Sequence, residues 1–331
     1  WGGLPHAACQ TTHPSIFQIL VYYLILLLIT ALLNKEIREK YSRILKIALA
    51  SFVLILLVSV IPIKNHNLEI MAFDVGNADS FLIKTPENKY IMIDTAKSGY
   101  NGGKSQAEML ILKYMLDRGI KELDTLIVTH FDNDHCGGAV DLMNELRVKN
   151  LYVNSINHPS IAAKEIYETA DIRGVNLILA ENNKTIYESN GLELKNFISP
   201  SSLAIGDNEA SILTLLSYKN FSMLFTGDAG IETFNRLKQY LPKDITVLKV
   251  GHHGALGVVN KEMINYLNPK ISLISVGENK FGHPSVFTLS VLKNTKVFRT
   301  DINNSIKLVV NKNGLSVYAF NCRNKKYKKV H

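Results

Sequence analysis

The chain has 331 residues, a formal net charge of +8, and hydrophobic and charged fractions of 47% and 20%. These values fit one large domain with additions or two modest domains, and they exclude disorder, collagen-like repeats and low-complexity sequence. Cys9, Cys136 and Cys322 are too few and too scattered for a disulfide framework or a cysteine-rich zinc module, so any metal centre must be built from histidine and aspartate. The chain opens on Trp1 with no signal-peptide layout, and it reads as the C-terminal piece of a longer protein.

Residues 16–33 form an uncharged run broken only by Gln18 and Thr30, and 47–61 form a second one. Runs of about 18 to 20 apolar residues match the thickness of a bilayer core. Two in tandem predict a transmembrane hairpin over residues 1–63, the end of a larger membrane region. The connection 34–43 holds four basic and two acidic residues. The positive-inside rule puts that loop in the cytoplasm and everything after Pro62 on the far side of the membrane. Between the hairpin and the last nine residues, acids and bases balance at 27 each. The excess positive charge after the hairpin therefore sits in a tail, 323–331, with a composition suited to nucleic acid or anionic lipid and equally to a solvated chain end.

From residue 68 the pattern turns to short β-like runs. Segments 68–74, 80–84 and 89–94 predict a meander with a turn at Pro86-Glu87-Asn88. A helix is expected over 106–118, stopped by Gly119, then a strand over 126–129 and a helix over 139–146. Residues 212–218 and 221–225 predict a hairpin, 231–241 a helix, 246–250 and 271–276 strands, and 285–292 a helix. A last hairpin, 305–310 with 315–320, turns on Asn313-Gly314. Many strands with interspersed helices predict a layered α/β domain over 64–322.

The chemistry concentrates in His130-Phe-Asp132-Asn-Asp134-His135-Cys-Gly-Gly138, directly after a strand. In an extended loop His130 and Asp132 point the same way, because side chains alternate with period two. Entry into a helix then turns Asp134 and His135 to a second side, so one loop can hold two cations. Other polar groups recur just past β runs: Asp94, Gly227-Asp228, Gly251-His252-His253-Gly254 and Gly282-His283-Pro284. Active sites of layered α/β folds gather at strand ends. Each of these features is weak alone, and their recurrence at strand ends carries the inference.

The series His-x-Asp-x-Asp-His, Gly-Asp and Gly-His-His-Gly resembles the metallo-β-lactamase superfamily. More narrowly it resembles the C-terminal domain of ComEC-type competence proteins, the DNA-uptake channels of transformable bacteria. Phe73-Asp-Val-Gly76, Leu248-Lys-Val-Gly-His-His-Gly254, Gly282-His-Pro-Ser285 and Arg299-Thr-Asp301 share in the likeness, which spans about 68–320. The resemblance implies an αββα sandwich behind a two-helix transmembrane hairpin, with two divalent metal ions at one edge. It implies His130 and Asp132 for the first ion, Asp134 and His135 for the second, and Asp228 as the bridging carboxylate. One of His252 and His253 closes the site, with His253 slightly preferred. Asp94 orients ligands from behind, and Asn208 is given the same supporting role.

The sequence departs from the superfamily pattern in two places that matter. Asp132 stands where a histidine is usual, and Gly206-Asp207-Asn208-Glu209 supplies no histidine before the bridging aspartate. An oxygen-rich first position favours Mn²⁺, with Mg²⁺ the harder option, while the histidines still suit Zn²⁺. The implied activity is metal-dependent hydrolysis of DNA, the strand not imported, outside the membrane. Asp134, His252 and His283 then act on the reacting oxygens. Implied partners are DNA, the membrane, the upstream channel region and other competence proteins. Two rivals stand beside this: a non-catalytic DNA-binding or gating module, and a hydrolase of another phosphodiester or ester. Cys136 is expected to be a packed small residue, and His66 and His158 to be surface histidines.

Overall fold

The computed structural model describes residues 14–60, 65–99, 103–199, 206–321 and 326–331. Cys9, Cys322 and the start of the basic tail lie outside the described residues. The chain divides into two units, described in turn.

The first unit holds helices α1 (Ile16–Leu33) and α2 (Lys35–Val60), both long and apolar enough to cross a membrane. Ser15 and Gln18 cap α1 reciprocally, each side chain bonding the other's backbone N–H. The Gln18 amide donates to the Ser59 carbonyl at 3.1 Å, so the polar break in α1 is met by the far end of α2. The expected ten-residue connection is shorter than the sequence suggests. Only Asn34 separates the helices, and its side chain accepts from the Ile37 N–H at 3.1 Å to start α2. Residues 35–40 read Lys-Glu-Ile-Arg-Glu-Lys, good helix formers with Glu36 four places before Lys40, so the charged stretch continues the helix instead of looping.

The second unit is built on two sheets. The first holds, among the described residues, β1 (Leu68–Ala72), β2 (Phe81–Lys84), β3 (Tyr90–Ile93), β4 (Glu122–Val128), β5 (Arg147–Val153) and β6 (Asn176–Leu179). It also takes the last three strands, β14 (Ile306–Asn311), β15 (Gly314–Asn321) and β16 (Lys326–Lys329), in the order β16-β15-β14-β1-β2-β3-β4-β5-β6. The second sheet holds β7 (Lys184–Ser189), β8 (Leu192–Phe197), β9 (Leu213–Tyr218), β10 (Phe221–Phe225), β11 (Val247–Lys249), β12 (Ile271–Ile274) and β13 (Lys296–Arg299), in the order β13-β12-β11-β10-β9-β8-β7. In each sheet one half is parallel, β3 to β6 and β10 to β13, and the other half antiparallel.

The sheets pack face to face through alternate apolar residues such as Ile70, Phe81, Ile93, Met223, Phe225 and Leu308. Phe81 and Phe225 meet edge to face across this core with centroids 5.2 Å apart. The outer face of the second sheet is covered by helices Ile231–Leu237 and Lys261–Leu267 through Phe234, Leu237, Met263 and Leu267. Helices Ala139–Glu145 and Ile161–Arg173 lie against β5 and β6 on the first sheet. The result is the expected αββα sandwich.

Two further segments differ from expectation. The helix expected over 106–118 opens as a π-helix, Ala107–Leu112, before a short α turn. Its first residue is pressed against the glycine pair after the His/Asp loop: a Cβ on Gly138 would sit 2.2 Å from the Ala107 Cβ. The basic tail, weighed as a solvated end, instead contributes β16, paired antiparallel with β15.

Candidate metal centre

Every predicted site residue except Asn208 lies in the connection past the carboxyl end of a strand: Asp94 after β3, His130 and Asp132 after β4 with Asp134 and His135 on the helical turn Asn133–Cys136, Asp228 after β10, His252 and His253 on a 3-10 turn after β11, and His283 after β12. Parallel neighbours align those ends at one edge of the sandwich, where loops of the two sheets meet. Gly137 and Gly138 allow the His/Asp loop to press against its neighbours, since a Cβ on Gly137 would lie 2.2 Å from the Ser98 nitrogen. Asp94, His252 and His253 all hold left-handed backbone conformations, with φ of 59°, 45° and 51°. Positive φ is uncommon outside glycine, though Asp and His tolerate it better than most residues, and such conformations cluster at functional sites.

Asp94 is buried and works from behind. Its carboxylate accepts from the Thr129 N–H at 2.9 Å, the Thr129 hydroxyl at 2.8 Å and His135 Nδ1 at 2.7 Å. That bond fixes which ring nitrogen His135 presents forward: Nε2, 3.1 Å from Asp228 Oδ1. His253 is fixed the same way. Its Nδ1 donates to the Ser275 carbonyl at 2.9 Å, leaving Nε2 3.3 Å from Asp134 Oδ2 and 4.0 Å from Asp228 Oδ2. His130 has Nδ1 within reach of the Thr129 and Ser211 hydroxyls, at 3.1 and 3.2 Å, and Nε2 3.5 Å from Asp132 Oδ2.

Among the described residues, three three-residue sets, all sharing His135, bring one ligand atom each within 4.8 Å of one another: His130, His135 and Asp228; Asp134, His135 and His253; and Asp79, Asp94 and His135. Of the adjacent histidines, the structure places His253 in such a set. His252 faces outward with 37% of its side chain exposed, and it receives the Asn208 amide at Nδ1 (3.2 Å) while its backbone N–H donates to Asp228 at 3.1 Å. Asp132 lies at the rim with 48% of its side chain exposed. The His283 ring is 5.4 Å from His252 and 6.5 Å from His253.

Segment 206–211, the stretch without a histidine, performs other work. The Ser211 hydroxyl accepts from the Asp228 N–H at 3.1 Å, and Glu209 binds the N–H groups of Gly230 and Thr233 at the start of the next helix. Its ligand capacity is replaced by fastening of the Asp228 loop.

Two buried residues escape the sequence reading. Lys249, on β11, and Asp79, before β2, are each 1% exposed and form an ion pair. Lys249 also donates to the Gly227 carbonyl at 2.6 Å and lies 3.8 Å from Asp228 Oδ1. The Asp79 backbone N–H donates to the Asp134 carbonyl at 3.0 Å, and its carbonyl accepts from the Ala96 N–H at 2.9 Å. The pair therefore ties together the loops of Asp94, Asp134 and Asp228. The available signal was Lys249 itself, a charge between Leu248 and Val250 in an otherwise apolar strand. His158, expected on the surface, is half-buried: its ring stacks on Phe131 at 4.9 Å. Cys136 is buried as expected, and burial pushes its thiol up to about 12, with nearby Asp94 adding to the shift.

The electrostatics fit cations. Five carboxylates, Asp79, Asp94, Asp132, Asp134 and Asp228, gather at this edge with one buried lysine, Lys249, an excess of acid suited to divalent cations. Buried His130 Nε2 and His135 Nε2 make no hydrogen bond among the described residues, and carboxylates are their nearest partners. Burial alone would lower the His135 and His253 pKa values, but Asp228 with Asp94, and Asp134 with Asp228, raise both. Burial would raise the Asp134 carboxyl, yet the His253 hydrogen bond and the His135 charge hold it at about 2. Asp228 is likewise driven well below the carboxylate range by His135 and His253 against its burial. These are ligand nitrogens and oxygens each seeking positive charge.

The model of the metallo-beta-lactamase superfamily matches residues 73–278, and the chain belongs to that superfamily. Its similar curated relatives are ComEC-type competence proteins. ComE operon protein 3 of Bacillus subtilis (strain 168) is 28% identical over 272 residues, 76% of this chain and 34% of the relative. Recombination protein 2 of Haemophilus influenzae is 32% identical over 222 residues, 66% of this chain and 26% of the relative. The chain thus spans about a third or less of these relatives' length. Among solved structures, CmlA, a diiron beta-hydroxylase from Streptomyces venezuelae, aligns with a TM-score of 0.47 and 12% identity over 83% of this chain and 59% of that one.

Proposed function

We propose that this chain is a metal-dependent phosphodiesterase of a DNA-uptake apparatus, hydrolysing DNA, the non-imported strand, outside the membrane. The observation that carries it is the convergence of His130, Asp134, His135, Asp228 and His253, with Asp132 at the rim beside His130, in a chain similar to competence proteins. Two divalent ions, Mn²⁺ or Zn²⁺, supply Lewis-acid polarisation of the phosphate and an activated water. Asp228 belongs to the set of His130 and His135, and its Oδ2 lies 4.0 Å from His253 Nε2, which supports its reading as the carboxylate between two ions. Asp134, kept ionised, orients the attacking oxygen and accepts its proton's hydrogen bond. His252 and His283 line the outer side, where one holds a non-bridging oxygen and the other protonates the leaving oxygen. The apolar helices α1 and α2 anchor the domain, and Lys326, Lys328 and Lys329 add positive charge toward the phosphate backbone.

The test is cleavage of labelled single- and double-stranded DNA at low salt by the full chain in detergent, loaded with Mn²⁺ or Zn²⁺, beside Asp134→Asn. Cleavage by wild type and its loss in the variant is expected. Intact DNA under every metal overturns the reading. A second reading, a DNA-binding or gating module without chemistry, draws on half-exposed Asp132 and the absence of a nitrogen ligand from 206–211. It predicts one ion per chain or none, DNA binding without cleavage, and uptake unaffected by Asp134→Asn.

A further inference from the structure

Phe281 stands out among the exposed apolar residues near the metal centre, with 74% of its surface in solvent. It is not loosely held. The Asn279 side chain fastens the whole turn: its amide donates to the carbonyls of Gly277 and His283, both at 2.8 Å, and its oxygen accepts from the N–H groups of Phe281 and His283, both at 3.0 Å. One asparagine thus fixes both ring-bearing residues of the loop. The Phe281 ring stacks on the His283 ring with centroids 5.6 Å apart and planes 30° apart. The His283 ring is in turn nearly parallel to His253, at 6.5 Å and 26°. The rings form a stair from solvent to the ligand set, and Phe281 is its outermost step, with one face given to His283.

An aromatic ring held rigid in water beside a phosphodiester centre has a specific use. Burying it in the fold would gain more, and a flexible loop would cost less order. A preorganised ring loses little entropy when a flat partner lands on it. Every nucleobase has a π-face, and that face is open only where the strand is unpaired. We propose that Phe281 is a stacking platform for a base flanking the scissile phosphate, so that the site selects single-stranded or frayed DNA over intact duplex. The inference rests on the phosphodiesterase reading and adds the substrate's strandedness to it.

The test uses the full chain in detergent with Ca²⁺ in place of Mn²⁺ or Zn²⁺, so that binding is read with the carboxylates neutralised and without cleavage. Fluorescence anisotropy compares a labelled oligo-dT, an abasic oligonucleotide of the same length and charge, and a blunt duplex, all at one salt concentration. Wild type is expected to prefer oligo-dT over the other two. Phe281→Ala is expected to lose about 5- to 100-fold in oligo-dT affinity, the range for one stacked base, with abasic binding unchanged, and Phe281→Trp to retain the preference. With Trp1 as the one native tryptophan, the added emission of Phe281→Trp should be quenched by oligo-dT and not by the abasic strand. Equal wild-type affinity for oligo-dT and the abasic strand overturns the platform and leaves the phosphodiesterase reading standing. Quenching of that tryptophan by brominated lipid in proteoliposomes, with none by oligo-dT, overturns it in favour of a membrane contact. Failure of wild type to bind any of the three nucleic acids removes the DNA reading itself.

Discussion

His135 and His253 are each gripped at Nδ1, by Asp94 and by the Ser275 carbonyl, and both are buried with Nε2 facing carboxylates. On the other side of the cluster, Asp132 has about half its side chain in solvent, with Oδ2 3.5 Å from His130 Nε2. The inner position is preorganised by groups that hold its histidines from behind, whereas the outer carboxylate is only partly fixed by its neighbours. That contrast teaches where binding energy resides. Rigid, desolvated donors lose little freedom on holding a cation, whereas a half-exposed carboxylate at the rim must be ordered to contribute.

Breaking the inner half at its foundation should give the largest effect. Lys249→Met leaves Asp79 buried and unpaired, and urea unfolding should show a loss of about 3–5 kcal/mol. Asp79→Asn combined with Lys249→Met should recover much of that loss, because no uncompensated charge remains. Asp134→Asn should remove about one ion per chain by elemental analysis and lower DNA cleavage at least about 100-fold. Asp94→Asn frees the His135 ring and should weaken metal binding by about 10- to 100-fold in calorimetric titration.

The outer half should respond more gently. Asp132→Ala should leave stability within about 0.5 kcal/mol, since the residue is half-exposed, while Asp132→His should shift metal competition from Mn²⁺ toward Zn²⁺. Acid sharpens the same contrast in the metal-free protein. Asp134 titrates at about 2 in the fold against an ordinary 3.8. Its stabilising contribution is therefore complete above the ordinary value and is lost as pH falls from there toward 2, a decline that Asp134→Asn should flatten in melting curves.

Much of this was legible along the chain. The apolar runs of α1 and α2, the alternation in β1 and β14 and the Asn313-Gly314 turn all express local physics, and so does the His130–His135 loop. Residues 147–199 were silent. β7 is half-exposed along its length, and helix Ile161–Arg173 buries only Ala163, Ile166 and Ala170, so neither shows a strong periodic face. Asp79 and Lys249 were illegible as a pair because they are 170 positions apart, and only the folding of one sheet onto the other makes them neighbours. The choice between His252 and His253 likewise depended on which ring Ser275 holds.

Strand β16 closes the first sheet with Lys-Tyr-Lys-Lys, and its three lysines are exposed. An open sheet edge is a template for another chain's edge, and copies confined to the plane of a bilayer, as α1 and α2 allow, meet far more often than copies in free solution. Like charges at that border make edge-to-edge pairing repulsive. The closing strand would thus oppose fusion of its sheet with that of a neighbouring copy.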